Sequence, residues 1–219
     1  MPTTDTRANL LAAAEQLFAD RGVEGVSLRE IARSAGAKNV IAVQYHFSDR
    51  DGVLRAILDK HLPAVDERRH ALLDAVHDAG AGEPSLRVMA AALVRPLGAK
   101  LDDSSGGPQF LRVYAELLNR PSPMLAAADG RFGSLRRWRA VVAPLLDPES
   151  AKLHPRFDAL VYTAVTLARR AESGPHTDNR LFLSHLIDVV AAILSAPVSD
   201  ETRRLSSERD RRRGRNSTT

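Results

Sequence analysis

The chain has 219 residues, 44% of them hydrophobic, with a formal net charge of +4 at pH 7. That apolar share can bury one medium core or two small ones, and the absence of cysteine excludes a disulfide framework, thiolate catalysis and thiolate metal sites. No run approaches the roughly 18 apolar residues of a membrane span, and the start MPTTDTRANLL lacks the basic and apolar regions of a signal peptide, so a cytoplasmic protein with no membrane partner is expected.

Residues 7–21, RANLLAAAEQLFADR, place Leu10, Ala14, Leu17 and Phe18 at helical spacing in an alanine-rich run, which predicts a first helix closed by Gly22. After the link 23–26, Ser27 and Glu30 have the spacing of a capping box, in which each side chain satisfies the other residue's amide. Leu28, Ile31, Ala32 and Ala35 continue the apolar stripe, and Gly36 supplies the positive φ that ends the helix. A second short helix is predicted over about Val40–Phe47. At about 100° per residue it turns Val40, Val43 and Phe47 to one side. Lys38, Ile41, Ala42 and Tyr45 fall on the other, flanked by Gln44 and His46.

A two-turn helix with one dry face and an outer face of amide, phenol, imidazole and small apolar groups suits the DNA major groove. The amide can meet base edges, an apolar group can meet a thymine methyl, and phenol and ammonium can hold phosphates. The competing reading of the same spacing is an ordinary helix pair inside an all-α core.

Further residues decide between the two. Phe18-Ala19-Asp20-Arg21-Gly22, Ser27-Leu28-Arg29-Glu30-Ile31-Ala32, the Ala35-Gly36 turn, the Tyr45-His46-Phe47 close, then Arg50 and Leu54, follow one another in order. On these the segment from Arg7 to Leu58 resembles the DNA-binding domain of the TetR/AcrR family of bacterial transcriptional regulators. The interval from Gly36 to Phe47 is one residue longer than the commonest family spacing, so the turn Ala37-Lys38-Asn39 is expected to bulge. The resemblance, with the outer-face reading, implies DNA contacts from Ser27, Lys38, Asn39, Ile41, Ala42, Gln44, Tyr45, His46 and Arg50, the last on phosphate.

Ser48-Asp49 caps a long helix expected over about 50–75, with Pro63 kinking or breaking it. This helix is read as the connector between a helix-turn-helix domain at 1–50 and a larger helical domain at 51–197. Beyond a loop at 79–84, helices are expected over 85–101, 109–118 and 134–146, with a helical turn and loop at 122–133. Two long helices follow, about 148–172 and 178–194. The first has Leu153, Phe157, Leu160, Val161, Ala164, Val165 and Ala168 as its stripe. The second is apolar around most of its circumference, which predicts burial on more than one side and a homodimer through this pair. Residues 198–219, polar and without aromatics, are expected to be disordered. From Arg203 to Arg215, seven arginines (203, 204, 209, 211, 212, 213 and 215) stand against Glu208 and Asp210, so the basic excess belongs to this stretch.

The chain is thus read as all-α, with no strand pattern and no enzymatic signature such as G-x-S-x-G or H-E-x-x-H. His70, Asp74 and His77 share a helical face and offer metal-ligand chemistry, but a charged helix surface is the stronger reading, and neither a metal nor a cofactor is expected. Polar and aromatic residues in otherwise apolar helices (Arg95, Gln109, Arg112, Glu116, Trp138 and Tyr162, with Tyr114, Arg139 and His154) are candidates to line a small-molecule pocket whose existence the resemblance implies. The functional expectation is a ligand-responsive repressor released from a palindromic operator when an unidentified effector binds the C-terminal domain. The alternative is a helical small-molecule-binding protein or enzyme on the same scaffold without DNA binding.

Overall fold

Twelve α-helices carry the described residues, and no strand occurs among them; the computed structural model describes residues 4–37, 39–78, 83–119, 123–174 and 176–216. Helices α1 (Thr4–Arg21), α2 (Leu28–Ser34) and α3 (Ile41–Phe47) pack with the start of α4 (Arg50–Asp78) to form a small head. Its core is the stripe expected from spacing: Leu10, Ala14 and Phe18 from α1, Ile31 and Ala32 from α2, Val43 and Phe47 from α3, and Val53, Leu54 and Ile57 from α4, all buried. A boundary at residue 50 therefore falls inside the head's packing, which α4 continues as far as Leu58.

α4 does not break at Pro63; it is one helix of 29 residues. Proline removes one intrahelical hydrogen bond, and burial of His61 before it and of Val65, Arg69 and Leu73 beyond it holds the helix together. The body is built on α5 (Leu86–Gly98), a 3₁₀ turn (Ala99–Asp102), α6 (Gly107–Leu118), α7 (Pro123–Phe132), α8 (Ser134–Val142), a second 3₁₀ turn (Ala143–Leu145), α9 (Pro148–Ala151), α10 (Pro155–Glu172) and α11 (Arg180–Ser195). α10 packs on α6 and α11, and α11 on α5, around Met89, Leu93, Leu97, Phe110, Leu111 and Trp138. The Trp138 indole donates from Nε1 to the Met89 carbonyl at 2.7 Å.

Several expectations need correction. The helix expected at 148–172 is two helices, because Pro155 lacks the amide a continuing helix needs and His154 takes a left-handed conformation at φ 60°. Leu153 and Phe157, expected in the apolar stripe, are 38% and 52% exposed. Residues 123–132 form a full helix, which Ala126-Ala127-Ala128 favour. The loop expected at 79–84 falls partly outside the described residues.

The tail expected to be disordered contains α12 (Asp200–Asn216). Its composition lacks aromatics but is rich in helix-forming Arg and Glu. The Ser199 hydroxyl accepts from the Thr202 amide at 3.3 Å, Asp200 and Glu201 occupy the first turn, and Ser206 is buried. α12 sits away from the head. Arg112 joins Asp20 of α1 to Glu172 at the end of α10, and the chain returns along α11 for about 24 Å before α12 begins.

Head and body are tied by polar contacts across α1 and α6. Gln109 donates to Gln16, Arg112 to Asp20, and both carboxylate oxygens of Glu116 accept the Val23 amide at 3.1 and 2.9 Å. Behind them the buried Glu15 carboxylate takes Lys60 Nζ at 2.7 Å and His61 Nε2 at 2.9 Å. Gly106, at φ 94°, closes over Glu15 so tightly that a side chain there would strike the carboxylate.

Candidate nucleic-acid interface

The capping box is complete. The Ser27 hydroxyl accepts the Glu30 amide at 3.3 Å, and Glu30 Oε2 accepts both the Ser27 amide at 2.9 Å and the Ser27 hydroxyl at 2.7 Å. These hydrogen bonds, the backbone one foremost, hold the Glu30 carboxyl below its ordinary value of 4.5. A carboxylate held low stabilises the fold above its ordinary value and loses that contribution as pH falls through the lower folded value. Ser27→Ala will cost about 1 kcal/mol by removing the cap and return the Glu30 titration upward; chemical denaturation and an NMR titration check both.

Gly36 turns the chain at φ 72°. Asn39 then accepts the Ile41 amide on Oδ1 at 3.0 Å, starting α3. Lys38, expected on the outer face and in the bulge, lies outside the described residues. α3 turns its sides as its spacing requires. Val43 and Phe47 are 0% and 5% exposed, Val40 is half-buried, and Ile41 and Tyr45 stand 64% and 76% exposed beside an exposed Gln44. Ala42 and His46 are intermediate, His46 stacking edge-on against Tyr45 at 5.1 Å between ring centroids.

The sharp exit from α3 is built on strain. Ser48 has φ 67° and ψ −60°, and the Asp49 amide donates to the Phe47 carbonyl across it, a γ-turn of the strained kind. Asp49 caps α4 through the Gly52 amide at 2.7 Å. A Cβ on Gly52 would collide with the Phe47 carbonyl. Gly52→Ala must therefore push α3 off α4, and we expect a destabilisation of roughly 3 kcal/mol or more, measurable by thermal unfolding.

Arg50, expected on phosphate, is half-buried and held within the head: it donates to Glu24 at 2.8 Å and to the Val26 carbonyl at 3.0 Å, tying the α1–α2 link to α4. Exposed cations of the head include Arg29 and Arg33 of α2 and Arg7, whose guanidinium lies 5.1 Å from the Phe47 ring centroid. The motif reading had not named them as contacts; a helical wheel of α2 would have put Arg29 and Arg33 opposite its apolar stripe.

The body holds a cavity of about 580 Å³ between α4, α6, α7, α8 and α10. Leu62, Val65, Leu118, Leu135, Leu160 and Val161 make its walls mainly apolar. At one end Asp66 accepts the Ser134 amide at 2.9 Å, and the buried Arg69 donates to the Ser134 hydroxyl at 3.0 Å. None of the six side chains proposed for a pocket lines this one. Gln109, Arg112 and Glu116 share one face of α6, but that face is turned to the head. Trp138 is fully buried, while Arg95 and Tyr162 are exposed. Tyr114 and Arg139, from the wider candidate set, do line it. Where a metal on His70 and Asp74 would sit, Arg137 binds Asp74 at 2.6 Å and faces His70 at 3.4 Å.

Residues 10–57 match the sequence profile of the family described as bacterial regulatory proteins, tetR family. The HTH-type transcriptional activator FasR of Mycolicibacterium smegmatis is 36% identical over 62 residues, 28% of each chain, so the match spans little more than a quarter of that relative. A transcriptional regulator from Rhodococcus sp. RHA1 superposes with a TM-score of 0.52 at 26% identity, over 88% of this chain and 96% of that one. AibR, solved in complex with isovaleryl coenzyme A and operator DNA, shares the fold at a TM-score of 0.52 and 17% identity, over 88% of this chain and 100% of that one. The match to the tetR family of bacterial regulatory proteins thus spans residues 10–57, within an all-helical fold shared along most of the chain's length.

Proposed function

We propose that the chain is a dimeric, ligand-responsive transcriptional regulator that places α3 in the major groove of each half of a palindromic operator. The observation that carries this reading is the outward set on α3, Ile41, Gln44 and Tyr45, exposed above a buried Val43 and Phe47. Exposed large apolar and aromatic side chains on so short a helix earn nothing from water, and they match base edges and thymine methyls. Asn39 and Ser27 hold the helix starts, Arg50 positions the α1–α2 link, and Arg29, Arg33 and Lys38 supply phosphate contacts.

The dimer forms through α10 and α11. Leu181 is 82% exposed and Tyr162 41% exposed, and Ala192 also faces outward, on helices whose other sides are packed; pairing with a second copy would cover them in a four-helix bundle. The effector is a mainly apolar molecule, because the cavity walls are apolar and its buried Arg69 stands one helical turn from Asp66. AibR, which its structure shows with an acyl thioester and DNA together, supports a chain of this fold answering to a small molecule. The effector prefers the conformation that fits DNA less well, so its binding lowers operator affinity, and the effector-free, DNA-bound state represses.

The test is a thermal-shift screen of apolar metabolites and drugs, followed by a gel shift on DNA from upstream of the gene. A compound that raises the melting temperature and releases the DNA supports the reading. Compounds that stabilise the protein while the chain binds no DNA favour a plain small-molecule-binding protein instead.

A further inference from the structure

Helix α7 separates two cavities. On one side is the effector cavity. On the other is a cleft of about 650 Å³ beneath the head, bounded by Val23, Glu24, Arg50 and Leu54. Leu125 and Ala126 of α7 face the effector cavity, Met124, Ala127 and Arg131 face the cleft, and Ala128 and Phe132 border both. At about 100° per residue the first two sets fall on opposite sides of the helix, with the shared pair one turn apart along the boundary.

No described side chain of α7 is buried. Every other wall of the effector cavity belongs to a helix that is anchored: Val65 of α4, Tyr114 of α6, Ser134 of α8 and Leu160 of α10 are all buried. α7 packs against the core through the half-buried Met124 and Leu125, and its polar tie to α4 is an exposed ion pair, Arg131 to Asp59 at 2.7 Å, a kind of contact that contributes little. Its C-terminal end meets Gly133 at φ 79°. Close-packed walls resist displacement, and a wall with empty space behind it yields first.

We propose that α7 is a displaceable partition: a molecule filling the effector cavity drives α7 into the cleft, where it presses on the α1–α2 link and the start of α4 and so moves the head. The movement follows from the two cavities alone; its effect on DNA rests on the function proposed above.

The test uses the full chain and needs no effector. Ala126→Trp fills the effector cavity from the partition, and Ala127→Trp fills the cleft. The chain has no cysteine, so Gly130→Cys on α7, where an added side chain meets nothing within 4 Å, and the exposed Ser34→Cys on α2 take spin labels uniquely. Labelled chains diluted with unlabelled ones report the distance within one protomer. We expect Ala126→Trp to shorten it, Ala127→Trp to lengthen it, and Ala126→Trp to weaken DNA binding by about tenfold or more, within the usual span of effector coupling.

Shifts of the same sign, no shift in either variant, or a shortened distance with unchanged DNA affinity would overturn the proposal. Ala126→Leu, a milder filling of the same space, carries the same expectation should the tryptophan variant fold poorly. If the unsubstituted chain binds no DNA, the proposed function fails, while the label distances still decide whether α7 moves.

Discussion

Gln44→Ala combined with Tyr45→Ala will lower affinity for the operator at least about a hundredfold while leaving the melting temperature unchanged. A good base-edge contact is worth about 1–3 kcal/mol, and a dimer makes each contact in two half-sites, so the losses double. Both side chains are exposed and neither contributes to the head's core, and surface substitutions of this kind usually stay within about 0.5 kcal/mol of the parent. Because both residues are neutral, the dependence of affinity on salt should keep its slope, whereas Arg33→Ala, removing one phosphate contact in each half-site, should lower the slope by about two without changing sequence preference. Val43→Ala, one residue before Gln44, should do the reverse and cost about 1–3 kcal/mol of stability from a fully buried position. Gel shifts across a salt series, with calorimetry on the same preparations, separate the two faces of one seven-residue helix.

Trp138→Ala will destabilise the body by about 3–5 kcal/mol, the range for deleting a buried aromatic side chain. The substitution also leaves the Met89 carbonyl without the indole donor that reaches it at 2.7 Å, an added cost of roughly 1–3 kcal/mol if no other donor replaces it. In a chain of this size each kcal/mol shifts the melting temperature by about 2–4 °C, so a fall of roughly 10 °C or more is expected. Trp138→Phe keeps most of the packing and loses only the donor, and should recover more than half of the fall. A ligand contact would behave differently, changing effector affinity with little effect on stability. Trp138 is the chain's single tryptophan, so its emission in the unsubstituted protein reports unfolding of this core directly.

The head was legible because its signals are local. Ser27 with Glu30, Gly36, and the alternation of Val43 and Phe47 against Ile41 and Tyr45 each act within one or two turns, where spacing alone decides which side faces the core. The body was less legible, because its polar residues answer to partners far along the chain. Gln109, Arg112 and Glu116 were recognisable as one polar face of α6, yet nothing local distinguishes a face that meets a ligand from one that meets α1. Leu62 and Val65 lie on the cavity, but in the sequence they look like any apolar stripe. The break before Pro155 was open to proline chemistry and was outweighed by the apolar spacing on either side of it. α12 was missed for the opposite reason: its lack of aromatics argued against a core, and helix propensity with a serine cap forms the helix with very little burial.

The most direct test of the central claim is a footprint of the purified chain on the DNA upstream of its gene, with the Gln44→Ala/Tyr45→Ala variant run beside it. Two protected half-sites of inverted sequence, centred about one helical turn apart or slightly more, and lost in the variant, are what a groove-reading α3 predicts. Even protection without a preferred site, or an unchanged footprint in the variant, would contradict it.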